Sequence, residues 1–403
     1  MSEFTLLGAD GAVTREPVAD APAFALAKPT APLRSRVAYA AAHVVPKIHA
    51  DNTPGQPADI DWDATLAFRH HVWSWGLGVA DAMDTAQRNM GLDPVATREL
   101  IARSAAEARS VGGALVVGVN TDHVEAESIS LDEVVAAYLE QLAFTEGEGA
   151  GVVLMASRHL ARAASGPDDY RRVYDRVLEK AQTPVVLHWL GEAFDPALRG
   201  YFGSTDAQAA TSVLIDIIDA HPDKVAGVKM SLLDADKEIS VRARLPHTAR
   251  MFTGDDFNYV GLIAGDGPGP DGGEERGTYS DALLGAFAAV APLASAAIQR
   301  LDAGDRDGYL ALLGPSEELS RQVFAAPTFY YKTGVAFLSW LNGHQPGFQL
   351  VGGLHSARSL PHLSEIVRLA NAAGALEDPE LAAARWNAFL AVSGVETPRT
   401  VLL

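Results

Sequence analysis

The sequence predicts an α/β protein built on a closed (β/α)8 TIM barrel, and three observations lead to that prediction. Short apolar runs alternate with longer segments whose apolar residues recur at helical spacing, as in a parallel sheet covered by helices. Seven or eight such units fit within about 260 residues, which is the usual size of this barrel. No glycine-rich phosphate turn follows the first apolar run, as it would in the alternative, an open doubly wound sheet. We therefore divide the chain into an N-terminal extension (1–35), the barrel (36–300) and a helical C-terminal region (301–403).

Eight segments are predicted as barrel strands because they are short, apolar and bounded by turn-forming residues. In chain order they cover residues 36–45, 78–84, 113–120, 151–157, 183–190, 224–231, 250–256 and, for the eighth, a region near 277–283. Several of the helical segments between them begin with Asp or Ser at an N-cap position. The extension is rich in Ala, Pro and Thr, so we expect it to be partly irregular. A glycine-dense tract at 265–277 predicts a surface loop or, alternatively, a lid over the barrel mouth.

Composition argues against several classes of function. The chain has no cysteine, which excludes disulfides, thiolate nucleophiles and cysteine-ligated metals. Its formal net charge of −19 argues against binding to nucleic acid or to anionic membranes. There is neither an apolar run long enough to span a membrane nor the pattern of a signal peptide. We expect a cytoplasmic protein that acts on a small molecule.

One lysine lies in a place where lysine is uncommon. The chain has only seven lysines, and Lys229 stands inside the apolar segment "VAGVKMS" (225–231). Burial disfavours the ammonium form, so the position predicts either a buried ion pair or a nucleophilic amine. Strand alternation puts Val225, Gly227, Lys229 and Ser231 on the inner face, with Gly227 leaving room for the lysine. Lys229 would then lie near the C-terminal end of the sixth strand, where barrel active sites lie.

This strand and several segments on either side of it resemble the dihydrodipicolinate synthase / N-acetylneuraminate lyase superfamily. "VAGVKMS" resembles its Schiff-base-lysine strand, and four further segments match in the family's order: "VVPKIHADN…IDWDATLAFRHHVWSWGLGVAD", "TPVVLHWLGE", "MFTGDDFNYVGLIAG" and "AAIQRLDAGDRDGYLALL". The resemblance covers roughly residues 36–315 and indicates a divergent branch. It implies a lyase of class I aldolase type, with Lys229 as the amine that forms an imine and with no other cofactor.

Two departures from the family affect the expected chemistry. His188 stands where the family has a tyrosine proton relay, and Thr85 follows Asp84 where the family has a carboxylate-binding Thr-Thr pair. A substrate carboxylate would be repelled by Asp84 unless Arg88 neutralised it. The substitution favours a sugar-derived ketone over a small keto acid. We predict that His188 faces the lumen and acts as an acid–base group near neutrality, or alternatively is a neutral histidine bonded to a lumen carboxylate.

Further polar residues are predicted at the C-terminal ends of the strands. The predicted substrate-binding residues are Asp84, Thr85, Asn120, Ser231, Asp255 and Glu192. Asp122 and Asp256 are interpreted as loop or cap residues. No metal is predicted, but a divalent metal, if present, would use His49, His123, His188, Glu192 and Asp255. Such a metal-dependent sugar lyase, epimerase or isomerase is one alternative function, and a non-catalytic ligand-binding barrel is another.

The rest of the chain is assigned smaller roles. Lys47 is expected in a loop, Lys332 on a helix at an exposed or interface position, and His344 in local contacts. The C-terminal helices carry aromatic residues that we expect to be exposed, namely Phe329, Tyr330, Tyr331 and Trp340. Together with the family resemblance, these residues predict a homo-oligomer, either a dimer or a tetramer.

Overall fold

The computed structural model of the chain describes residues 2–19, 26–266 and 277–395, so most of the predicted loop or lid at 265–277 lies outside the described residues. The strands are β1 (Glu3–Leu7), β2 (Val13–Pro17), β3 (Ala38–Ala41), β4 (Gly78–Asp81), β5 (Leu115–Val119), β6 (Gly151–Leu154), β7 (Val185–Leu190), β8 (Val225–Ser231), β9 (Arg250–Thr253) and β10 (Asp281–Leu284). Strands β3 to β10 form a closed barrel in the order β10-β3-β4-β5-β6-β7-β8-β9. All pairs within it are parallel. The predicted (β/α)8 barrel is confirmed.

Helices cover the barrel and continue beyond it. They are α1 (Trp62–Ser74), α2 (Pro94–Val111), α3 (Leu131–Gly147), α4 (Arg158–Ala163), α5 (Pro167–Leu178), α6 (Ala207–Ala220), α7 (Ala235–Arg242), α8 (Tyr259–Ala264), α9 (Ala286–Ala289), α10 (Ala291–Asp302), α11 (Arg306–Leu313), α12 (Ser316–Val323), α13 (Tyr331–Leu341), α14 (Leu360–Ala373) and α15 (Pro379–Val392). Short 3-10 segments lie at Asp84–Ala86, Pro196–Leu198, Tyr201–Gly203, Thr328–Tyr330 and Val351–Ala357. Within the described residues, none of these helices combines the length and the apolar character needed to cross a lipid bilayer.

Two apolar layers hold the barrel together. A small cluster fills the lumen with alternate residues of the strands, including Ala80, Val116, Val153, Val186 and Phe252. The residues between them face outward and pack against the helices in a much larger cluster. The pairing of β7 with β8 shifts register between Val185 and Val186.

The register shift overturns one predicted orientation. Val225 pairs with Val185, and both residues belong to the outer cluster. The prediction that Val225 faces the lumen is therefore wrong. The irregularity precedes Gly227, so the alternation holds from there onward.

The C-terminal region is helical, as predicted, and it also receives the start of the chain. Strands β1 and β2 form an antiparallel hairpin that packs on α14 and α15. Trp386 Nε1 donates to the Thr5 carbonyl at 2.7 Å, and the Leu7 backbone N–H donates to Ser364 Oγ at the same distance. This hairpin was not predicted within the extension. The division of the chain at residues 35 and 300 stays a prediction.

Candidate active site

Lys229 lies in the lumen between strands β7 and β9. It pairs in register with His188 on one side and with Phe252 on the other, and the residue is only 7% exposed. Its amine makes no hydrogen bond or close ion pair with any described residue. The buried amine therefore keeps its lone pair or its protons available for a ligand at the barrel mouth.

The space for this lysine comes from a glycine that the sequence did not point to. A Cβ at Gly254 would lie 3.0 Å from Lys229 Cε and 2.2 Å from Ser231 Oγ. Gly227, which was expected to leave the room, instead lies against the Arg250 carbonyl and the Phe252 ring, at 2.5 and 3.0 Å from an added Cβ. The expected role of Gly227 is thus wrong, because the lysine extends toward β9 and the turn after it.

Two carboxylates oppose the effect of burial on Lys229. Burial lowers the pKa of the amine, and the charges of Asp84 and Asp256 raise it in part. The net direction is downward, so a larger fraction of the amine is neutral near neutrality than for an exposed lysine. Both acids come from the C-terminal ends of barrel strands, Asp84 after β4 and Asp256 after β9.

The neighbouring acids Asp255 and Asp256 both accept backbone N–H groups at the start of a helix, Asp255 before α8 and Asp256 at α9, and the substrate-binding role of Asp255 stays a prediction. Asp255, predicted to bind substrate, accepts the backbone N–H of Phe257 at 2.9 Å and that of Asn258 at 3.1 Å, so it caps the turn before α8. Asp256, predicted as a loop or cap residue, is 4% exposed and accepts the Ala286 N–H at 2.8 Å. Burial raises the pKa of Asp256 to about 7, although the Lys229 charge opposes the shift. Asp256 is therefore the group that can hold or release a proton near neutrality.

His188 is fully buried beside Lys229, as strand alternation predicts. Its Nε2 lies 3.2 Å from Ser231 Oγ, and its Nδ1 has no partner among the described residues. Burial and the adjacent Lys229 charge lower the pKa of His188 well below 6.5. The lowered pKa argues against titration near neutrality, and the neutral imidazole of the alternative contacts Ser231 instead of a lumen carboxylate.

The C-terminal region closes the mouth beside Asp84. The Tyr331 hydroxyl lies 2.8 Å from Thr85 Oγ1, and its ring stacks on Phe324 at a centroid distance of 4.4 Å. Both Asp84 and Asp256 act on the pKa of Tyr331, which burial raises well above 10. Tyr331 is thus a neutral phenol within the electrostatic reach of the two acids that face Lys229.

Tyr331 and Lys332 were both predicted at exposed or interface positions, and both predictions are wrong. Tyr331 is 4% exposed and Lys332 is 3% exposed. Lys332 Nζ donates to the Phe329 carbonyl at 3.0 Å and lies 3.3 Å from Met90 Sδ. Helix α13 is buried on nearly every side, its polar residues Lys332, Thr333 and Ser339 included, so its sequence does not reveal a solvent face.

The remaining predicted residues divide into two groups. Asn120 and Ser231 are buried at the mouth, and Asn120 Oδ1 accepts the Thr121 N–H at 2.7 Å. Glu192 is exposed and pairs with Arg199, and His49 is exposed as well. The five predicted metal ligands do not converge, since the described residues bring together His71, His344 and Glu377 instead.

A cleft of about 310 Å³ lies on the side of the mouth formed by Asp84 and Asn120. Its walls include Asp84, Asn120, Thr121, His159 and Arg158. Thr121 Oγ1 lies 2.8 Å from His159 Nδ1, so hydroxyl and imidazole groups are already ordered on one side. Polar groups predominate in the lining, which also includes Ala156 and Leu190, and they suit a ligand that carries several hydroxyl groups.

Comparisons with known proteins show which family model this chain matches and which solved structures share its fold. A family model described as "Protein of unknown function (DUF993)" matches residues 4–395. No curated protein matches the sequence. Among solved structures, dihydrodipicolinate synthase from Aquifex aeolicus is 12% identical with a TM-score of 0.62, covering 85% of this chain and 99% of its own. The enzyme from Thermotoga maritima is 13% identical with a TM-score of 0.59 over 84% and 100%. That from Bacillus anthracis is 12% identical with a TM-score of 0.59 over 83% and 98%. At these identities the likeness shows the fold, and at that level the resemblance is confirmed.

Proposed function

We propose that this chain, which belongs to the DUF993 family of proteins of unknown function, is a lyase that forms a Schiff base between Lys229 and a ketone. The supporting observation is the Lys229 amine, which is buried at the C-terminal end of β8, has a lowered pKa and makes no hydrogen bond with any residue that the structure describes. Only a neutral amine attacks a carbonyl carbon, so a lowered pKa increases the reactive fraction at neutral pH. A lysine amine in such a site is activated by its desolvation.

The reaction follows from the groups around the amine. Lys229 Nζ adds to the carbonyl carbon to give a carbinolamine, and protonation of its hydroxyl lets water leave as the iminium forms. For C–C cleavage, a base takes the proton of the hydroxyl on the second carbon from the iminium, the C–C bond breaks as that hydroxyl becomes a carbonyl, and the resulting enamine is protonated to give an iminium again. For C–O cleavage, a base takes a proton from the carbon next to the iminium, and the resulting enamine expels the hydroxyl beyond it as water, which again leaves an iminium. Water then adds to the iminium carbon, which releases the carbonyl product and restores the free amine.

Asp256 is the group we assign to the proton transfers. Its pKa of about 7 makes both its protonated and its ionised forms available at neutral pH. The Ala286 N–H fixes one oxygen and leaves the other for a ligand. His188 is neutral over the same range, so we assign it a positioning role, in which it orders Ser231 and the wall beside Lys229.

The charges at the mouth favour a substrate without a carboxylate. Asp84 and Asp256 both lie within electrostatic reach of Lys229. Arg88, which would have to neutralise Asp84, is 1% exposed and is bound instead to Asp122 and Gln141. We therefore propose a sugar-derived ketone rather than a small keto acid, since its hydroxyl groups can pair with the carboxylates.

The arginines at the outer cleft also favour a neutral substrate over an anionic one. Arg158 pairs with Asp195, and Arg162 pairs with Glu127 at 3.0 Å. An anionic substrate would have to displace one of these carboxylates before it gained a salt bridge. A neutral polyol needs no such exchange and can use the existing hydroxyl, amide and carboxylate groups.

The predictions of a cytoplasmic location and of a homo-oligomer remain predictions. One argument for the oligomer is weaker than expected, because Tyr331 is buried and Phe329, Tyr330 and Trp340 are only half-exposed. Light scattering on the purified protein at micromolar concentration tests the dimer or tetramer, and a monomer contradicts it.

Borohydride trapping tests the proposed reaction. The protein is incubated with a panel of keto sugars and keto acids, reduced with borohydride and digested for peptide mass measurement. We expect an adduct on the peptide that contains Lys229, with keto sugars favoured, and none in Lys229→Met. Lys47→Met is the matched control, because Lys47 is half-exposed and paired with Asp59 at 2.7 Å. An adduct on Lys332, or none with any ketone, contradicts the proposal.

A further inference from the structure

We propose that His71, His344 and Glu377 form a site for a divalent metal ion of the zinc type, which fastens the C-terminal region to the barrel. The site is separate from Lys229 and does not rest on the proposed reaction. His71 belongs to the last turn of α1, which covers the barrel. His344 follows α13 and Glu377 precedes α15, so an ion held by all three residues would connect three parts of the fold.

The three ligand atoms already converge. Glu377 Oε1 lies 2.7 Å from His344 Nε2 and 3.4 Å from His71 Nε2, and all three ligand atoms lie within 4.8 Å of one another. In a tetrahedral zinc site with bonds of about 2.0 Å, neighbouring ligand atoms are about 3.3 Å apart. Small side-chain adjustments would therefore allow an ion to take the place of the direct contacts between the carboxylate and the two imidazoles.

The donor set is one that zinc prefers. Two imidazole nitrogens and one carboxylate oxygen are a common zinc ligand set, with water completing the coordination. The side chains of His71, His344 and Glu377 are 16%, 18% and 30% exposed, so an ion can enter from solvent. The chain's net charge of −19 favours the approach of a cation.

Packing around the cluster holds the ligands in place. Asn342 Oδ1 accepts the Glu377 backbone N–H at 3.0 Å, which fixes the loop that carries the carboxylate. The Phe68 ring contacts both imidazoles, at centroid distances of 6.0 Å to His71 and 5.6 Å to His344. The two imidazoles lie 4.1 Å apart at an angle of 46°. A site whose ligands are ordered before the ion binds loses less conformational entropy on binding.

The experiment uses the full chain after dialysis against a chelator. Zn²⁺ is titrated in competition with a chromophoric chelator, and bound metal is counted by elemental analysis. We expect one zinc ion per chain, and a loss of affinity of about 10²-fold or more in His71→Ala and in His344→Ala. His70→Ala is the matched control, because His70 lies next in the same helix and pairs with Glu107 at 2.8 Å, outside the cluster. It should bind zinc as the unchanged protein does.

A second readout separates coordination from a purely structural role. Zn²⁺ should raise the thermal midpoint of the unchanged protein and of His70→Ala, but not that of His71→Ala or His344→Ala. Glu377→Gln keeps the size and hydrogen-bonding ability of the side chain, so it should fold and still lose zinc affinity. The proposal is overturned if the protein binds no zinc, if Glu377→Gln binds it as tightly as the unchanged chain, or if His70→Ala loses as much affinity as the cluster variants.

Discussion

Two buried lysines, Lys229 on strand β8 and Lys332 on helix α13, face the same Asp84 in different ways. Burial lowers the pKa of both amines, that of Lys332 to about 8, and Asp84 raises both in part. The Lys332 amine is occupied by the Phe329 carbonyl, whereas the Lys229 amine has no partner among the described residues. A lowered pKa therefore does not by itself make a buried amine a nucleophile. The amine must also be free to reach a ligand.

The largest expected effect comes from removing the free amine. Lys229→Met should lower turnover by about 10³-fold or more, because no other group can form the imine. Lys332→Met should lower it by about 10-fold or less, because it removes a charge near Asp84 and leaves the nucleophile in place. Steady-state rates and borohydride trapping on both variants provide the measurement. Equal losses in the two variants would remove the distinction between the two lysines.

The second prediction concerns Asp256, the group proposed to transfer protons during the reaction at Lys229. Asp256→Asn should lower turnover by about 10²- to 10³-fold, because the amide cannot exchange a proton near neutrality. Asp255→Asn is the matched control, since Asp255 accepts backbone N–H groups of its own turn and an amide oxygen can still do so. It should keep turnover within about threefold. A loss confined to Asp255→Asn would reassign the acid–base role.

The same substitution has a pH-dependent effect on stability with a definite sign. The folded-state pKa of Asp256, about 7, lies above the unfolded value of 3.8, so the folded protein binds more protons between these two values. The free energy of unfolding of the unchanged protein therefore falls as the pH rises through this window. Asp256→Asn removes that penalty, so its stability relative to the unchanged protein should rise from pH 4 to pH 8. Thermal unfolding from pH 4 to pH 8 measures the difference, and parallel curves would contradict the raised pKa.

A smaller effect is expected from the neighbour of the free amine. His188→Phe should lower turnover by about 10-fold, because it removes the group that orders Ser231 while Asp256 still transfers protons. His188→Gln, whose amide can reach Ser231 Oγ, should recover most of the loss with an unchanged pH profile. If His188 itself transferred the proton, His188→Gln would be as slow as His188→Phe, and both would lose about 10²- to 10⁴-fold.

The barrel and the inward placement of Lys229 could be predicted from the sequence, because local patterns determine them. Short apolar runs and helical spacing identify strands and helices, and strand alternation places Lys229 and His188 on the inner face. The burial of Tyr331 and Lys332 on α13 could not be predicted, because a helix that is buried on nearly every side has no solvent-facing stripe to show its orientation. Which of Asp255 and Asp256 enters the lumen depends on the turn after β9, and two adjacent identical residues carry no signal for it. The lowered pKa of His188 likewise depends on burial, which only the assembled barrel determines.

The smallest expected effect comes from the hydroxyl that α13 brings to the mouth. Tyr331→Phe removes one buried hydrogen bond to Thr85, and we expect it to lower the free energy of unfolding by about 1 kcal/mol. Burial raises the pKa of Tyr331 well above 10, so its phenol stays neutral. The loss of unfolding free energy in Tyr331→Phe should therefore be the same at every pH from 5 to 9. Tyr309→Phe is the matched control, because that hydroxyl donates to the Val260 carbonyl at 2.9 Å, outside the mouth. Both variants should lose similar stability. Only Tyr331→Phe should lower turnover, by about two- to fivefold, because of these two tyrosines only Tyr331 lies within electrostatic reach of the acids that face Lys229. Equal turnover in the two variants would show that α13 closes the mouth without taking part in the chemistry.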